Sequence, residues 1–176
     1  MKFNLLHILA FSFLISISAN AQSHKNEEGG IQWMSFPEAL AKSKALPKKI
    51  YMDIYTGWCG WCKKMDASTF KDPAIISYMN ENFYPVKFDA ETHDTIVFKD
   101  KKYAFKPEYK ANEIAAYLLN GQMGYPTSVY FDEQMNPITA VPGFNTSEQL
   151  MPILKYFASD IYKTKKFEDY RKDGDK

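Results

Sequence analysis

Residues 55–63, Tyr55-Thr56-Gly57-Trp58-Cys59-Gly60-Trp61-Cys62-Lys63, hold the only two cysteines of the 176-residue chain and decide how the rest is read. A run of β-formers, Ile50 to Tyr55, precedes them, and a helix-type run, Lys63 to Met65, follows. On that passage from strand to helix, Cys59 falls at a helix N-terminus and Cys62 one turn in, so the two sulfurs can meet. The first is expected to face solvent and the unpaired N–H groups of the helix start, and the second to be shielded. A helix N-terminus can lower a cysteine pKa from roughly 8.5 to between about 3.5 and 7.5, and the thiolate is the attacking species. Cys59 is therefore the expected nucleophile. It would attack a partner's disulfide to give a mixed disulfide, which Cys62 would resolve, leaving a Cys59–Cys62 bond.

Other uses of a cysteine pair fit the residue types less well. A structural zinc site normally takes four ligands, yet the chain has one CxxC pair and its histidines are the scattered His7, His24 and His93. Haem attachment needs histidine directly after the second cysteine, where Lys63 stands. A purely structural disulfide across this spacing closes a very small loop and so constrains the unfolded chain little. A redox centre is the reading that the residues favour.

Trp-Cys-Gly-x-Cys-Lys after a strand resembles the active site of the thioredoxin family. Asp53, six residues before Cys59, stands where that family carries a buried carboxylate, and Gly124-Tyr125-Pro126-Thr127 before a strand resembles its cis-proline loop. Thr69-Phe70-Lys71-Asp72-Pro73 is similar to the corresponding stretch of the C-terminal periplasmic domain of DsbD-type proteins and of related secreted members. The likeness covers roughly residues 31–160. It implies an α/β thioredoxin-like fold, a central mixed β-sheet flanked by helices, with a β-hairpin plus helix insertion before the cis-Pro loop. It further implies an exported thiol:disulfide oxidoreductase that reduces or exchanges disulfides in client proteins. No organic cofactor and no metal are implied, and electrons would come from a membrane donor of the DsbD type. A disulfide oxidase or isomerase, and a binding module without turnover, are the alternatives.

The resemblance also distributes roles. Asp53, if buried under the active-site helix, would have a raised pKa and take the proton of Cys62; otherwise it makes an ordinary hydrogen bond at a strand end. A cis Tyr125–Pro126 bond would turn the Tyr125 backbone towards the CxxC, ready to pair with an extended client strand. Cis bonds occur at only about 5–6% of X–Pro positions, so the expectation rests on the family and not on chance. Trp58, Gly60 and Trp61 complete the candidate client-binding set. Trp58 matches the family's tryptophan, whereas Trp61 departs from it and either packs under the helix or meets the client. With no histidine between the cysteines, one donor to the thiolate is missing, which leans the pair towards reduction.

Residues 1–21 read as a secretory leader: Lys2 at the positive end, an apolar stretch from Leu5 to Ile17, and Ala19-Asn20-Ala21 as a small-x-small cut site. The apolar run is shorter than the roughly 20 residues that span a bilayer. The mature chain is thus expected in the periplasm or outside the cell, without a membrane span, and as a monomer. Loss of Lys2 leaves 21 basic residues against 21 acidic ones, so nothing electrostatic points to nucleic acid or an anionic membrane. An exported chain keeping only two thiols, spaced to pair with each other, suits an oxidising compartment.

Residues 22–30 are a polar, Gly-ended lead-in. The domain is expected over 31–162. Ser35-x-x-Glu38 signals a helix to about Ala45, stopped by Pro47. A strand at 49–55 and a helix from Cys59 to about Ser68 follow. Asp72-Pro73 opens another helix to near Asn82, and Phe83–Asp89 reads as a strand whose Pro85 argues for an irregular start or a sheet edge. About 90–120 is an insertion: Thr95–Phe98 and Tyr103–Lys106 as a hairpin around Lys-Asp-Lys-Lys, then a helix from Ala111 to Asn120 closed by Gly121. Its lysines, Lys99, Lys101, Lys102, Lys106 and Lys110, form either a solvated elaboration or a surface that selects partners. Thr127–Asp132 and Ile138–Val141 make a closing hairpin. The last long helix repeats Leu150, Ile153, Leu154, Phe157 and Ile161 at helical spacing, with Pro152 as a kink or as its true start. Residues 163–176 are a polar tail with at most a short helix.

Overall fold

The computed structural model describes residues 29–174; the expected leader and most of the lead-in lie outside them. Four strands form the central sheet: β1 (Lys49–Tyr55), β2 (Phe83–Asp89), β7 (Thr127–Phe131) and β8 (Pro137–Pro142), in the order β2-β1-β7-β8. β2 runs parallel to β1, β7 antiparallel to β1, and β8 antiparallel to β7. A parallel pair needs a long crossover, and the chain supplies it with α2 (Gly60–Ala67), a 3₁₀ turn at Thr69–Lys71 and α3 (Pro73–Asn82). The mixed sheet is the one expected. Pro85 also falls where its missing N–H is harmless, because β2 is an edge of this sheet and bears only an isolated bridge to Met34 on its outer side.

Alternation along β1 sorts its side chains onto two covered faces. Ile50, Met52 and Ile54 join Val86, Phe88, Val129 and Phe131 in one apolar cluster, closed by Phe36 and Ala39 of α1 (Phe36–Ala45) and by Ile114, Ala115 and Leu118 of α4 (Glu113–Leu118). Tyr51 and Tyr130 face the other way. They pack with Met65, Phe70, Ile75 and Met79 of the crossover and with Leu150, Leu154 and Phe157 of α5 (Ser147–Ala158). A strand covered on both faces buries nearly every residue, and β1 does so from Lys49 to Ile54.

The helix starts follow their capping residues. Ser35 accepts a hydrogen bond from the Glu38 N–H, and Asp72 Oδ1 accepts from Ala74 and Ile75. Thr146 and Gln149 form a full capping box. Pro152 lies inside α5, so it does not mark that helix's start; Ser147 does, because the box closes there. The insertion is folded more tightly than expected. β3 (Ile96–Phe98) pairs with β4 (Lys101–Tyr103) through Lys99 and Asp100 alone, both at positive φ, as a two-residue hairpin of that hand requires. Phe105–Lys106 (β5) pairs instead with Ala111–Asn112 (β6), and Asn112 caps α4, so that helix starts after Ala111. Nor is the insertion a solvated add-on, since Ala90, Ile96, Phe98, Tyr103, Ala111 and Leu119 enter the first cluster. The expected polar tail is also partly packed: in α6 (Phe167–Lys172), Phe167 and Tyr170 sit 5.1 and 5.5 Å from the Tyr156 ring, and Tyr170 is buried.

Candidate active site

The Thr56-to-Cys59 turn delivers the chain from β1 into α2. Cys59 N–H donates to the Thr56 carbonyl, and Cys59 is the N-cap of α2 in extended conformation. Its sulfur, at 3.0 Å, accepts a hydrogen bond from the Cys62 N–H, one of the donors that a helix start leaves unpaired. The same sulfur is bonded to Cys62 Sγ across a Cα–Cα distance of 5.3 Å. Cys59 was expected to face solvent, and here the structure corrects the sequence. Its exposure is 4 % against 1 % for Cys62: the bond and the N-cap contact turn its sulfur inwards, and exposure at this rim is carried by Trp58, Gly60 and Trp61. The order of accessibility between the two cysteines is kept; its size is small.

Beneath α2 lies a polar group enclosed by protein. Asp53 on β1 is 1 % exposed, and its Oδ2 accepts from Lys87 Nζ at 2.6 Å. Lys87 stands opposite Asp53 in the β1–β2 register and also bonds Asp66, on α2 itself. The ammonium thus ties the strand under the site to the helix carrying Cys62, and lies about 5 Å from the rings of Trp33, Tyr55 and Phe70. Burial pushes the Asp53 carboxyl above its usual range; the Lys87 charge opposes this, and Asp66 adds to it by repulsion. For Lys87, burial alone would lower the pKa, but the two carboxylates reverse the sign and hold it above the ordinary lysine value. Asp53 Oδ1 and Thr56 Oγ1 are buried with no hydrogen-bond partner among the described residues. Next to them Tyr51 and Ser128 share a buried hydrogen bond of 2.8 Å.

The rim carries the remaining candidates. Tyr125–Pro126 is a cis peptide bond, and the Pro126 carbonyl accepts from Gly143 N–H at 2.8 Å. The Trp58 ring meets that of Tyr125 edge-on at 5.9 Å, and Trp58 Nε1 donates to Glu91 Oε1 at 2.9 Å. Trp61 does not pack under the helix. It is 57 % exposed, 5.4 Å from the Phe144 ring, with Lys64 Nζ 4.8 Å above it. A Cβ at Gly60 would meet nothing within 4 Å, so its glycine keeps the rim low without being sterically required. The structure thus gathers Cys59, Cys62, Trp58 and Trp61 at the rim with Tyr125 and Pro126, and places Asp53 one layer below. Sequence reading passed over Lys87, Asp66, Glu91 and Phe144. Lys87, in an otherwise β-forming run, and Asp66, one turn after Cys62, left signals that could have been found. Glu91 and Phe144 reach the rim by tertiary folding alone.

The sequence pattern of the Thioredox_DsbH family, described as "Protein of unknown function, DUF255", matches residues 16–169. An uncharacterized protein of Caenorhabditis elegans is 30% identical over 110 residues, 62% of this chain and 13% of that protein. The thiol:disulfide interchange protein DsbD of Pectobacterium atrosepticum is 28% identical over 122 residues, 68% of this chain and 18% of that protein. The chain therefore spans less than a fifth of the length of these relatives. Among solved structures, a DsbH oxidoreductase superposes with a TM-score of 0.54 at 18% identity, covering 85% of this chain and 95% of that one. A thioredoxin from Thermus thermophilus gives 0.55 at 19% identity, covering 72% and 85%. At those identities the two structures speak for the fold.

Proposed function

Since the chain belongs to the Thioredox_DsbH family, we propose that it is an exported thiol:disulfide oxidoreductase whose dithiol, Cys59 and Cys62, reduces or exchanges disulfides in client proteins. The observation that carries this reading is the Cys59–Cys62 disulfide at the start of α2, with Cys59 as the N-cap. In the reduced protein the Cys59 thiolate, favoured by the N–H groups and dipole of α2, attacks one sulfur of a client disulfide. The other client sulfur leaves as a thiolate. Cys62 then gives its proton to Asp53 and attacks the Cys59 sulfur of the mixed disulfide, expelling the second client thiol. Two electrons pass to the client and the protein ends in the disulfide form.

Burial of Asp53, with its pKa raised, suits it to accept that proton near neutral pH. Trp58, Gly60, Trp61, Tyr125 and cis Pro126 form the client-facing rim. The leader-like start of the sequence supports a periplasmic location, and the similarity to a thiol:disulfide interchange protein DsbD supports reduction by a membrane donor of the DsbD type. No described helix is long and apolar enough to cross a membrane. The protein is expected to act as a monomer. Gly60 and Trp61 between the cysteines, without a histidine, favour the reductive direction. The test is insulin reduction by dithiothreitol: the wild type accelerates precipitation of the freed B chain and Cys59→Ser does not. A wild type no faster than dithiothreitol alone overturns catalysis and leaves a binding module.

A further inference from the structure

We propose that the rim around Cys59–Cys62 is a charge-polarised docking surface for an extended client segment. Its cysteine is flanked by an acidic side chain seated at Lys64, beside Trp61 and Phe144, and by a basic one at Glu91, beside Trp58 and Tyr125. This rests on the thiol:disulfide reading and adds the kind of segment that the site accepts.

Two of the described chain's most exposed large apolar side chains, Trp58 at 67 % and Trp61 at 57 %, stand either side of the first cysteine. Apolar surface left open beside a reactive group marks a contact site. Each tryptophan leans on a second ring, Tyr125 or Phe144, and the two walls are tied together by the Gly143 N–H to Pro126 carbonyl bond. The disulfide and the cis-proline loop belong to the same rim. The Tyr125 N–H and C=O make no backbone hydrogen bond among the described residues, so an extended chain can pair there.

The walls differ in sign. On the Trp58 side the charge is the Glu91 carboxylate, held in place by the indole N–H and by the bond of its own N–H to Asp89 Oδ1. No cation pairs with Glu91 among the described residues. On the Trp61 side it is Lys64, whose Nζ lies 4.8 and 5.2 Å from the rings of Trp61 and Phe144, with exposed Lys63 adjacent. Neither lysine has an acidic partner among the described residues. The cavity beyond Lys64 and Phe144 is lined by both signs, Lys71 with Asp72 and Glu148, so the positive charge of this wall is that of Lys64 and Lys63 at the rim. Opposite charges on two fixed walls favour one charge order along a bound strand and reject its reverse.

The test uses three five-residue peptides whose central cysteine is a mixed disulfide with thionitrobenzoate. One runs acid to base, one base to acid, and one carries glutamine at both places. Mixed with pre-reduced wild type, Cys59 attacks the peptide sulfur and expels thionitrobenzoate, and Cys62 then expels the peptide thiol. The dithiol supplies both electrons. One charged order should react about fivefold faster than the other, the scale of two exposed ion pairs, with the neutral peptide between them. The difference should shrink as salt screens it, and Lys64→Glu combined with Glu91→Lys should reverse the preferred order. Equal rates for the three peptides, or an order unchanged by the reversal, overturn the proposal. Hydroxyethyl disulfide, small and uncharged, separates the levels: if the wild type reduces it without any peptide preference, only the polarity fails; if the wild type cannot reduce it, the dithiol reading falls too.

Discussion

The two faces of the sheet are built from the same strands and do opposite things. On the side of α1 and α4, β1 presents Ile50, Met52 and Ile54 to a cluster of apolar and aromatic side chains, where the buried polar Thr127 and Asn112 are hydrogen-bonded. On the side of α2 and α5 it presents Tyr51, Asp53 and Tyr55, and Lys87, Ser128 and Tyr130 join them. The first face can be filled for stability alone. The second gives up part of that stability, because Asp53 Oδ1 and the Tyr130 hydroxyl are buried without partners among the described residues, and each such group costs about 1–3 kcal/mol. At Asp53 the cost falls in the layer beneath α2, where the proposed proton exchange with Cys62 would take place away from water. A period of two in one strand is enough to keep the two tasks apart.

Substitutions on either face can break or sharpen this contrast. The largest expected effect is on the rim itself: Cys59→Ser should abolish insulin reduction while leaving the far-ultraviolet circular dichroism of the folded chain unchanged. Turnover that survives it would detach the chemistry from the α2 face altogether. Next comes Met52→Ala, which opens a cavity in the apolar face. It should lower the free energy of unfolding by about 2–5 kcal/mol without altering the reduction potential of the cysteine pair. A shifted potential would mean that the faces are coupled.

Asp53→Asn acts in the reverse sense, on rate more than on stability. Near neutral pH it should slow the resolving step by roughly 10²-fold, the usual weight of a positioned base, and the disulfide should still form. Its stability effect has a definite sign. The folded pKa of Asp53 is raised, so ionising it is costlier in the folded protein than in the unfolded one. That penalty is complete above the folded pKa and gone below the unfolded value of about 3.9. Asp53→Asn should therefore melt higher than wild type at neutral pH, and the gap should close as the pH falls. Equal melting curves at both ends would remove the burial penalty from the account.

The smallest effect is expected at Asp66, which shares Lys87 with Asp53. Asp66→Asn removes a repelling carboxylate and leaves the ammonium to Asp53 alone, and both changes lower the Asp53 pKa. Carbon-13 NMR of the Asp53 carboxyl should show its titration moving to lower pH. A rise, or no movement, would show that Lys87 does not link the two.

What could be read from the chain beforehand follows the same divide. Cys59 and Cys62 announce themselves by spacing, and Ser35, Asp72 and Thr146 mark helix starts because capping is a local matter of one side chain and the next turn. Individual strands and helices were legible through short periodic runs, whereas their assembly into a thioredoxin-like sheet was legible only through the resemblance carried by residues 58–63, Asp53 and residues 124–127. The inward turn of the Cys59 sulfur was not, since it depends on a bond that helix position alone does not impose. The insertion hairpin was misplaced because Lys99 and Asp100 adopt positive φ without a glycine to signal it, and the partner of Phe105–Lys106 had to be found in three dimensions. Glu91 and Phe144 reach the rim from sequence positions 32 and 85 residues away from Cys59. No local pattern could bring them there.

The most direct test is the equilibrium between the dithiol and the disulfide, followed by tryptophan fluorescence in buffers of graded glutathione or dithiothreitol ratio. A reversible two-electron transition of Cys59–Cys62, with a potential nearer −270 mV than −120 mV, is the predicted result for a reductant at the start of α2. A pair that does not cycle reversibly would contradict the redox reading itself, and a reversible pair near −120 mV would contradict the reductive direction.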